Sequence, residues 1–349
     1  MTNRFLIYGA NGYTGELITR MAAERGLKPI LAGRSEAKVA ELAAKYGFEY
    51  RAFSLDDTEK LDSALQEVDM VLHCAGPFSI TSLPMVKACL RNGKHYTDIT
   101  GEISVFEACA AMDKKAVEAG IMMMPGVGFD VVPSDCLAKH LNERLPSATH
   151  LTLAFYGMGG ISHGTQATMT MNVGRGGAIR KNAAITPVPA AWKTQLIDFG
   201  NGVVKTGVTI PWGDVSTAYY STGIPNIEVF TIAPKSAIKA MKVSRYLGWL
   251  LATSPVQKYL HGKIKPGGPT DSERAKGRTL MRGEARDNDG NSVTTLQQGP
   301  EGYTLTAIAA LNITEKILAG DYKPGYQTPA SAYGADLILE IDGTSRQDI

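Results

Sequence analysis

The sequence predicts an α/β protein in two parts: a doubly wound parallel sheet, then a mixed α+β domain containing a largely antiparallel sheet. Three observations carry this expectation. In the first 132 residues apolar strand runs alternate with helical periodicity, the grammar of βαβ units whose helices cover both faces of a sheet. The first of those runs leads straight into a glycine loop that opens a helix. Beyond residue 148 the strand runs succeed one another across tight-turn sequences, as consecutive hairpins do.

Taken in order, strands are expected at Arg4–Tyr8, Pro29–Ala32, Tyr50–Phe53, Met70–Ala75, His95–Ile99 and Ile121–Met124. Between them the spacing predicts helices over 14–25, 35–46, 58–66, 80–92 and 103–119, the last ending at Gly120. Another helix begins near Pro133, whose missing N–H costs nothing in a first turn. Thr149–Tyr156 alternates with period two and runs into Gly157-Met-Gly159-Gly160. Asp198-Phe-Gly-Asn-Gly202 and Asp287-Asn-Asp-Gly-Asn291 read as hairpin turns, and Ser236–Leu260 and Tyr303–Leu318 as helices. Lys265-Pro-Gly-Gly-Pro269 reads as a surface loop. The domains are therefore expected at 1–132 and 133–319.

The 349 residues suffice for two cores, and 44% hydrophobic with 20% charged residues is ordinary for a folded globular chain. A net charge of +2 excludes a protein that grips nucleic acid through a general basic surface. The run Phe5-Leu-Ile-Tyr8 lies too close to Met1 to leave room for a signal peptide, and no stretch of about 18 apolar residues is available to span a bilayer. The cysteines Cys74, Cys89, Cys109 and Cys136 form no CxxC pair and read as small buried hydrophobes. Together these features point to a reducing, cytoplasmic setting. The histidines have no metal-ligand spacing, so no metal is expected.

Tyr8-Gly9-Ala-Asn11-Gly12-Tyr13-Thr14-Gly15 joins the first strand to the first helix, the Rossmann-type phosphate loop. Gly9 permits the tight turn, Gly12 lets backbone approach a pyrophosphate, and Gly15 lets helix pack on strand. The helix N-terminus supplies free N–H groups for phosphate. At the end of the second strand an NAD-specific domain carries Asp or Glu for the ribose hydroxyl; here Gly33 is followed by Arg34, which suits a 2′-phosphate. Ser35 and Lys38 stand beside it. Arg34 also has the plainer reading of a solvated residue at a helix start. The expected cofactor is NADP(H), and Ala75, Gly76, Pro77 and Phe78 after the fourth strand are expected to run along it.

Several segments together resemble the saccharopine-dehydrogenase-like oxidoreductases. They are Gly9–Gly15, Ala32-Gly-Arg-Ser35, Ala75-Gly-Pro-Phe78, Tyr96-Thr-Asp98-Ile-Thr-Gly101-Glu102 and Gly126-Val-Gly-Phe-Asp130-Val-Val-Pro133-Ser-Asp135. The similarity continues through Ser162-His-Gly-Thr165, Gly283-Glu-Ala-Arg286, Pro300-Glu-Gly-Tyr303 and Gln327-Thr-Pro-Ala330, nearly the whole chain, and is nearest to the trans-acting enoyl reductases of lipid and polyketide assembly. The resemblance implies a C-terminal segment, about 320–349, that returns to the Rossmann domain. It implies reduction of an imine or an enoyl group, although some members have no assigned reaction. Where that branch commonly has two small residues before Gly-Thr, this chain has Ser162-His163.

Candidate catalytic residues are His163, Asp98 and Asp130. Asp98 and Glu102 follow the fifth strand and either orient substrate or cap a helix. Asp130, in the glycine-rich turn after the sixth strand, is either an acid at the site or the cap of the helix near Pro133. His163 is a proton donor suited to neutral pH or simply a loop histidine. Phe78, Tyr96 and Phe129 are expected at the substrate mouth. The segment 235–260 combines lysines with Tyr246 and Trp249, a pattern that suits an interface of a homodimer or peripheral contact with lipid. The expected activity is hydride transfer to an enoyl or imine group of a hydrophobic small molecule, lipid-like or thioester-linked. A non-catalytic NADP(H) sensor and a membrane-associated interaction protein are the alternatives.

Overall fold

The computed structural model describes residues 3–158, 160–172, 176–251, 253–263 and 267–349. Gly159 of the glycine run, Lys265 and Pro266 of the proline-rich loop and Ala252 within 235–260 lie outside the described residues. The chain forms two compact units, Met1–Val132 with Tyr303–Ala332, and Pro133–Gly302 with Tyr333–Ile349.

In the first unit six strands alternate with helices: β1 (Phe5–Tyr8), α1 (Tyr13–Glu24), β2 (Ile30–Gly33), α2 (Glu36–Tyr46), β3 (Tyr50–Ala52), α3 (Thr58–Gln66), β4 (Met70–His73), α4 (Phe78–Asn92), β5 (His95–Asp98), α5 (Ile103–Ala110), α6 (Asp113–Glu118) and β6 (Met122–Met124). The strands β1, β2, β4, β5 and β6 are buried along their length, as strands covered on both faces must be. All neighbours in the sheet are parallel, in the order β15-β6-β5-β4-β1-β2-β3. The order reverses between β1 and β4, and crevices of such sheets open there, at the carboxyl ends.

The expected helix 103–119 is two helices. The break sets Asp113 beside the late strand β15 (Gly325–Tyr326), where its Oδ1 accepts from the Tyr326 amide at 2.8 Å. Helix α13 (Gly302–Leu318) belongs to this unit from Tyr303 onwards, not to the second domain in which its sequence neighbours place it.

The second unit begins with α7 (Val132–Arg144) and continues through β7 (His150–Met158), α8 (His163–Asn172), the hairpin β8 (Gly177–Lys181) and β9 (Ala184–Val188), and the hairpin β10 (Thr194–Asp198) and β11 (Val204–Thr209). Then come α9 (Asp214–Thr222), β12 (Asn226–Ile232), α10 (Lys235–Leu251), α11 (Ser254–His261), α12 (Asp271–Lys276), β13 (Arg278–Arg286) and β14 (Ser292–Pro300). The main sheet runs β10-β11-β12-β7-β13-β14-β16, with β8 also paired to β12. It is antiparallel throughout except where β12 lies parallel to β7. Both expected turn sequences connect hairpins, β10 to β11 and β13 to β14.

Two expectations are corrected here. The single helix over 236–260 is α10 and α11, because Pro255 in the first turn of α11 cannot continue a preceding helix. The expected return of 320–349 to the first unit divides. Residues to Ala332 do belong there, with α14 (Pro329–Tyr333) at the boundary, whereas β16 (Ser345–Asp348) pairs with β14 and stays in the second unit.

Helix α7 lies on the buried face of β13, so closely that a Cβ at Gly283 would come within 2.5 Å of Leu141 Cδ1 and 3.0 Å of Leu137 Cγ. Arg144 Nη1 donates to Thr294 O and Thr295 Oγ1 on β14, and Gln297 Nε2 to Pro133 O at 2.9 Å. Gly283→Val should therefore overpack this layer and cost about 1–3 kcal/mol of stability, read as a lower midpoint in urea unfolding. A midpoint equal to the parent's would show that the leucines yield freely.

Candidate functional site

The loop after β1 is built by backbone meeting backbone. Gly9 has φ +84°, and a Cβ there would lie 2.7 Å from the Ala75 amide nitrogen of the loop after β4. At Gly15, in the first turn of α1, a Cβ would lie 2.3 Å from Gly9 O. The protein itself thus needs both glycines. Gly12 differs: its φ of −83° suits any residue, and a Cβ would meet only Gly9 O, at 3.3 Å. The space before it is otherwise open at the amino end of α1, and both Asn11 and Gly12 are exposed. A cradle that only a side chain on Gly12 would fill suits a pyrophosphate. Tyr13 and Thr14 follow, half-buried, with the Tyr13 ring edge-on to Tyr303 at 5.1 Å.

At the end of β2, Gly33 packs against the Asn11 side chain. Arg34 and Lys38 are exposed, half-buried Ser35 makes no side-chain cap, and neither cation forms an ion pair among the described residues. Two donors and a hydroxyl beside the loop, free of carboxylate partners, fit a 2′-phosphate. Burial pushes the neighbouring Tyr8 hydroxyl up to about 12, with Arg34 pulling it back, so the guanidinium charge is felt at the end of β1.

Beyond β4, Ala75, Pro77 and Phe78 are half-buried and Gly76 is exposed. Thr81 Oγ1 braces this turn from inside α4, donating to Ala75 O at 2.5 Å. The carboxylate of Glu102 accepts from the amides of Phe78 (2.8 Å) and Ser79 (3.2 Å), so Glu102 caps α4 across the gap between strands. Cys74 is half-buried and burial raises its thiol far above the reactive range. His73 is fully buried between Tyr8 and Phe78, its Nε2 3.0 Å from Thr81 Oγ1, and burial pushes it down to about 3, so it stays neutral.

The carboxyl ends of β5 and β6 are tied by Asp98. Its Oδ1 accepts from the amides of Thr100 (2.9 Å) and Gly126 (2.8 Å), and Oδ2 from the Tyr96 hydroxyl at 2.7 Å. Burial raises this carboxyl to about 6, with those three bonds working in the opposite direction. Tyr96, expected at the substrate mouth, is wholly buried because its hydroxyl serves Asp98. Phe129 and Asp130 lie on the loop that Asp98 secures and are half-buried. The Asp130 carboxyl makes no hydrogen bond or ion pair among the described residues, and desolvation raises it to about 7. It rests on Gly101, where a Cβ would lie 2.6 Å from Asp130 Oδ2.

Sequence reading had no signal for Thr306. From α13 its Oγ1 accepts the Phe129 amide at 3.0 Å and its methyl fills the space a Gly128 side chain would need, fixing the Asp130 loop. In the second unit His163 is the first residue of α8 rather than part of a loop; Ser162 Oγ accepts from the Thr165 amide at 3.3 Å, and the His163 amide donates to Gly267 O at 2.7 Å.

Residues 5–124 match the saccharopine dehydrogenase NADP binding domain. The match spans about a third of the chain. Among curated relatives, a saccharopine dehydrogenase-like oxidoreductase of Mus musculus is 28% identical over 216 residues, 56% of this chain and 46% of the relative. A trans-acting enoyl reductase of Mycobacterium ulcerans (strain Agy99) is 28% identical over 178 residues, 47% of this chain and 43% of the relative. The chain thus matches less than half the length of either protein. In fold, it superposes on apo saccharopine dehydrogenase (L-Glu forming) of Saccharomyces cerevisiae with a TM-score of 0.70, covering 99% of both chains at 13% identity.

Two cofactor predictions follow from the saccharopine-dehydrogenase-type loop. Gly12→Val should keep the fold yet weaken NADPH binding by about 100-fold, since the overlap costs roughly 3 kcal/mol; unchanged affinity in calorimetry would remove the pyrophosphate from this cradle. Arg34→Ala should cost NADPH about 1.5–3 kcal/mol while leaving NADH unaffected. An equal loss for both cofactors would take the 2′-phosphate away from Arg34.

Proposed function

We propose that the protein is an NADPH-dependent reductase of a C=C or C=N bond in a hydrophobic small molecule, lipid-like or thioester-linked, with Asp130 as the group that delivers the proton. The observation that carries this reading is the Asp130 carboxyl, unpartnered among the described residues, on the loop that leaves the carboxyl end of β6. The glycine loop, Arg34, Ser35 and Lys38 would hold NADPH, which when bound would supply a hydride to the electrophilic carbon, leaving one proton to complete the saturated product. A carboxyl raised to about 7 still carries that proton near neutral pH.

The other residues position it. Asp98, with both oxygens engaged, fixes the loops after β5 and β6. Gly101 leaves room for the carboxyl, and half-buried Phe78 and Phe129 give the sheet edge an apolar character that suits a hydrophobic substrate. The name of the Mycobacterium ulcerans relative supports an enoyl group. His163, at the start of α8, is the alternative donor.

Loss of NADPH absorbance with enoyl thioesters and cyclic imines tests the reading; tight NADPH binding without oxidation of it by either class would make the protein a sensor. Asp130→Asn should lower turnover by roughly 10²–10⁴-fold with NADPH affinity unchanged. In the parent the rate should fall as pH rises through about 7, where Asp130 loses its proton, and the asparagine variant should lack that limb. The same titration acts on stability: a carboxyl held above its unfolded value favours the fold at low pH, and that contribution is lost as pH climbs through about 7.

A further inference from the structure

We propose that the outer face of α10 and α11 docks on an anionic lipid surface, lying in the plane of the headgroups. Lys235, Lys239, Lys242, Tyr246 and Trp249 follow one another at spacings of four, three, four and three, so they form a single stripe along α10. All five are exposed, Tyr246 by 79% and Trp249 by 75%, and Tyr259 on α11 by 65%. One flank of the stripe is anchored: Ile238 packs with Ala191 and Val208, and Arg245 donates to Ala190 O and Ala191 O at 2.6 Å each.

The charge of this segment identifies its occupant. From Lys235 to Thr270 the chain places seven of its 36 Lys and Arg residues and none of its 34 Asp and Glu. Among the described residues, Lys235, Lys239, Lys242, Arg245, Lys258 and Lys263 form no ion pair, whereas cations elsewhere, such as Arg51 and Arg91, meet carboxylates. Protein interfaces are depleted in lysine at their cores, so a lysine-rich stripe ending in Tyr and Trp does not match a protein partner. It matches a headgroup layer, where lysine stems lie along apolar surface, ammonium groups meet phosphate, and Tyr and Trp rings sit between water and acyl chain. Contact is confined to the surface, because no described helix is long and apolar enough to cross a membrane.

Sedimentation of the full chain with phosphatidylcholine vesicles, with and without phosphatidylglycerol, tests the proposal. Binding is expected only to the phosphatidylglycerol vesicles and should weaken steeply with added salt. Lys239→Glu with Lys242→Glu should weaken it by at least about tenfold, since each basic residue near such a surface contributes about a fivefold factor. Tyr246→Ser with Trp249→Ser should weaken it comparably, and NADPH binding by both double variants, unchanged, shows that they are folded. No binding to phosphatidylglycerol vesicles, or binding that neither pair alters, overturns the proposal. So does a parent oligomer that either pair converts to monomer without changing vesicle binding, which would make the face a contact between copies of the chain.

Discussion

Strand ends in the parallel sheet come together through bare backbone, and Gly9 is where that contact is tightest. Its amide donates to Ala32 O at 2.7 Å, its carbonyl accepts from Gly12 N at 3.0 Å, and its Cα faces the Ala75 backbone without room for a methyl group. The ends of β1, β2 and β4 are therefore spaced by main-chain atoms, whose positions vary less than those of side chains. A phosphate held by N–H groups at such a place meets donors fixed before it arrives, and little conformational entropy remains to be lost on binding. The cations beside it, Arg34 and Lys38, are exposed and form no ion pair among the described residues.

A second layer of order, around β5 and β6, depends on carboxylates instead. Asp98 gathers three donors from a strand, a loop and a neighbouring loop, while Glu102 reaches sideways to the amides that open α4. Asp98 satisfies amides that would otherwise be buried without partners, at a cost of about 1–3 kcal/mol apiece. Because these two acids are fully occupied in holding backbone, Asp130 stands out as the acid with spare capacity. Three carboxylates that look alike in sequence differ in what surrounds them.

The first six strands and the glycine loop were legible because each is a local pattern: apolar runs of four or five residues, then Gly9, Gly12 and Gly15 at fixed offsets. Arg34 was equally legible, being the residue where an acid is absent. The two-residue strand β15 was not, since its pairing with β6 joins Gly325 to Met122 across two hundred residues of chain. Thr306 escaped for the same reason, and so did the parallel pairing of β7 with β12, which no turn sequence announces. The burial of Tyr96 was misread because alternation along β5 does not reveal that its hydroxyl has a partner two residues away.

The order in which the chain is made has a consequence for the site. Residues 133–302, the larger part of the second unit, are inserted between two stretches of the first one. A growing polypeptide therefore completes β1 to β6 long before α13 emerges, and until then the amide of Phe129 lacks Thr306 and Gly128 lacks that residue's methyl group. At translation rates of about 5–20 residues per second, that interval lasts on the order of ten to thirty seconds. The glycine loop, Arg34, Lys38 and the turn from Ala75 to Phe78 are all synthesised before the interval begins. The residues expected to hold the cofactor can thus fold while the Asp130 loop still lacks its contact from α13.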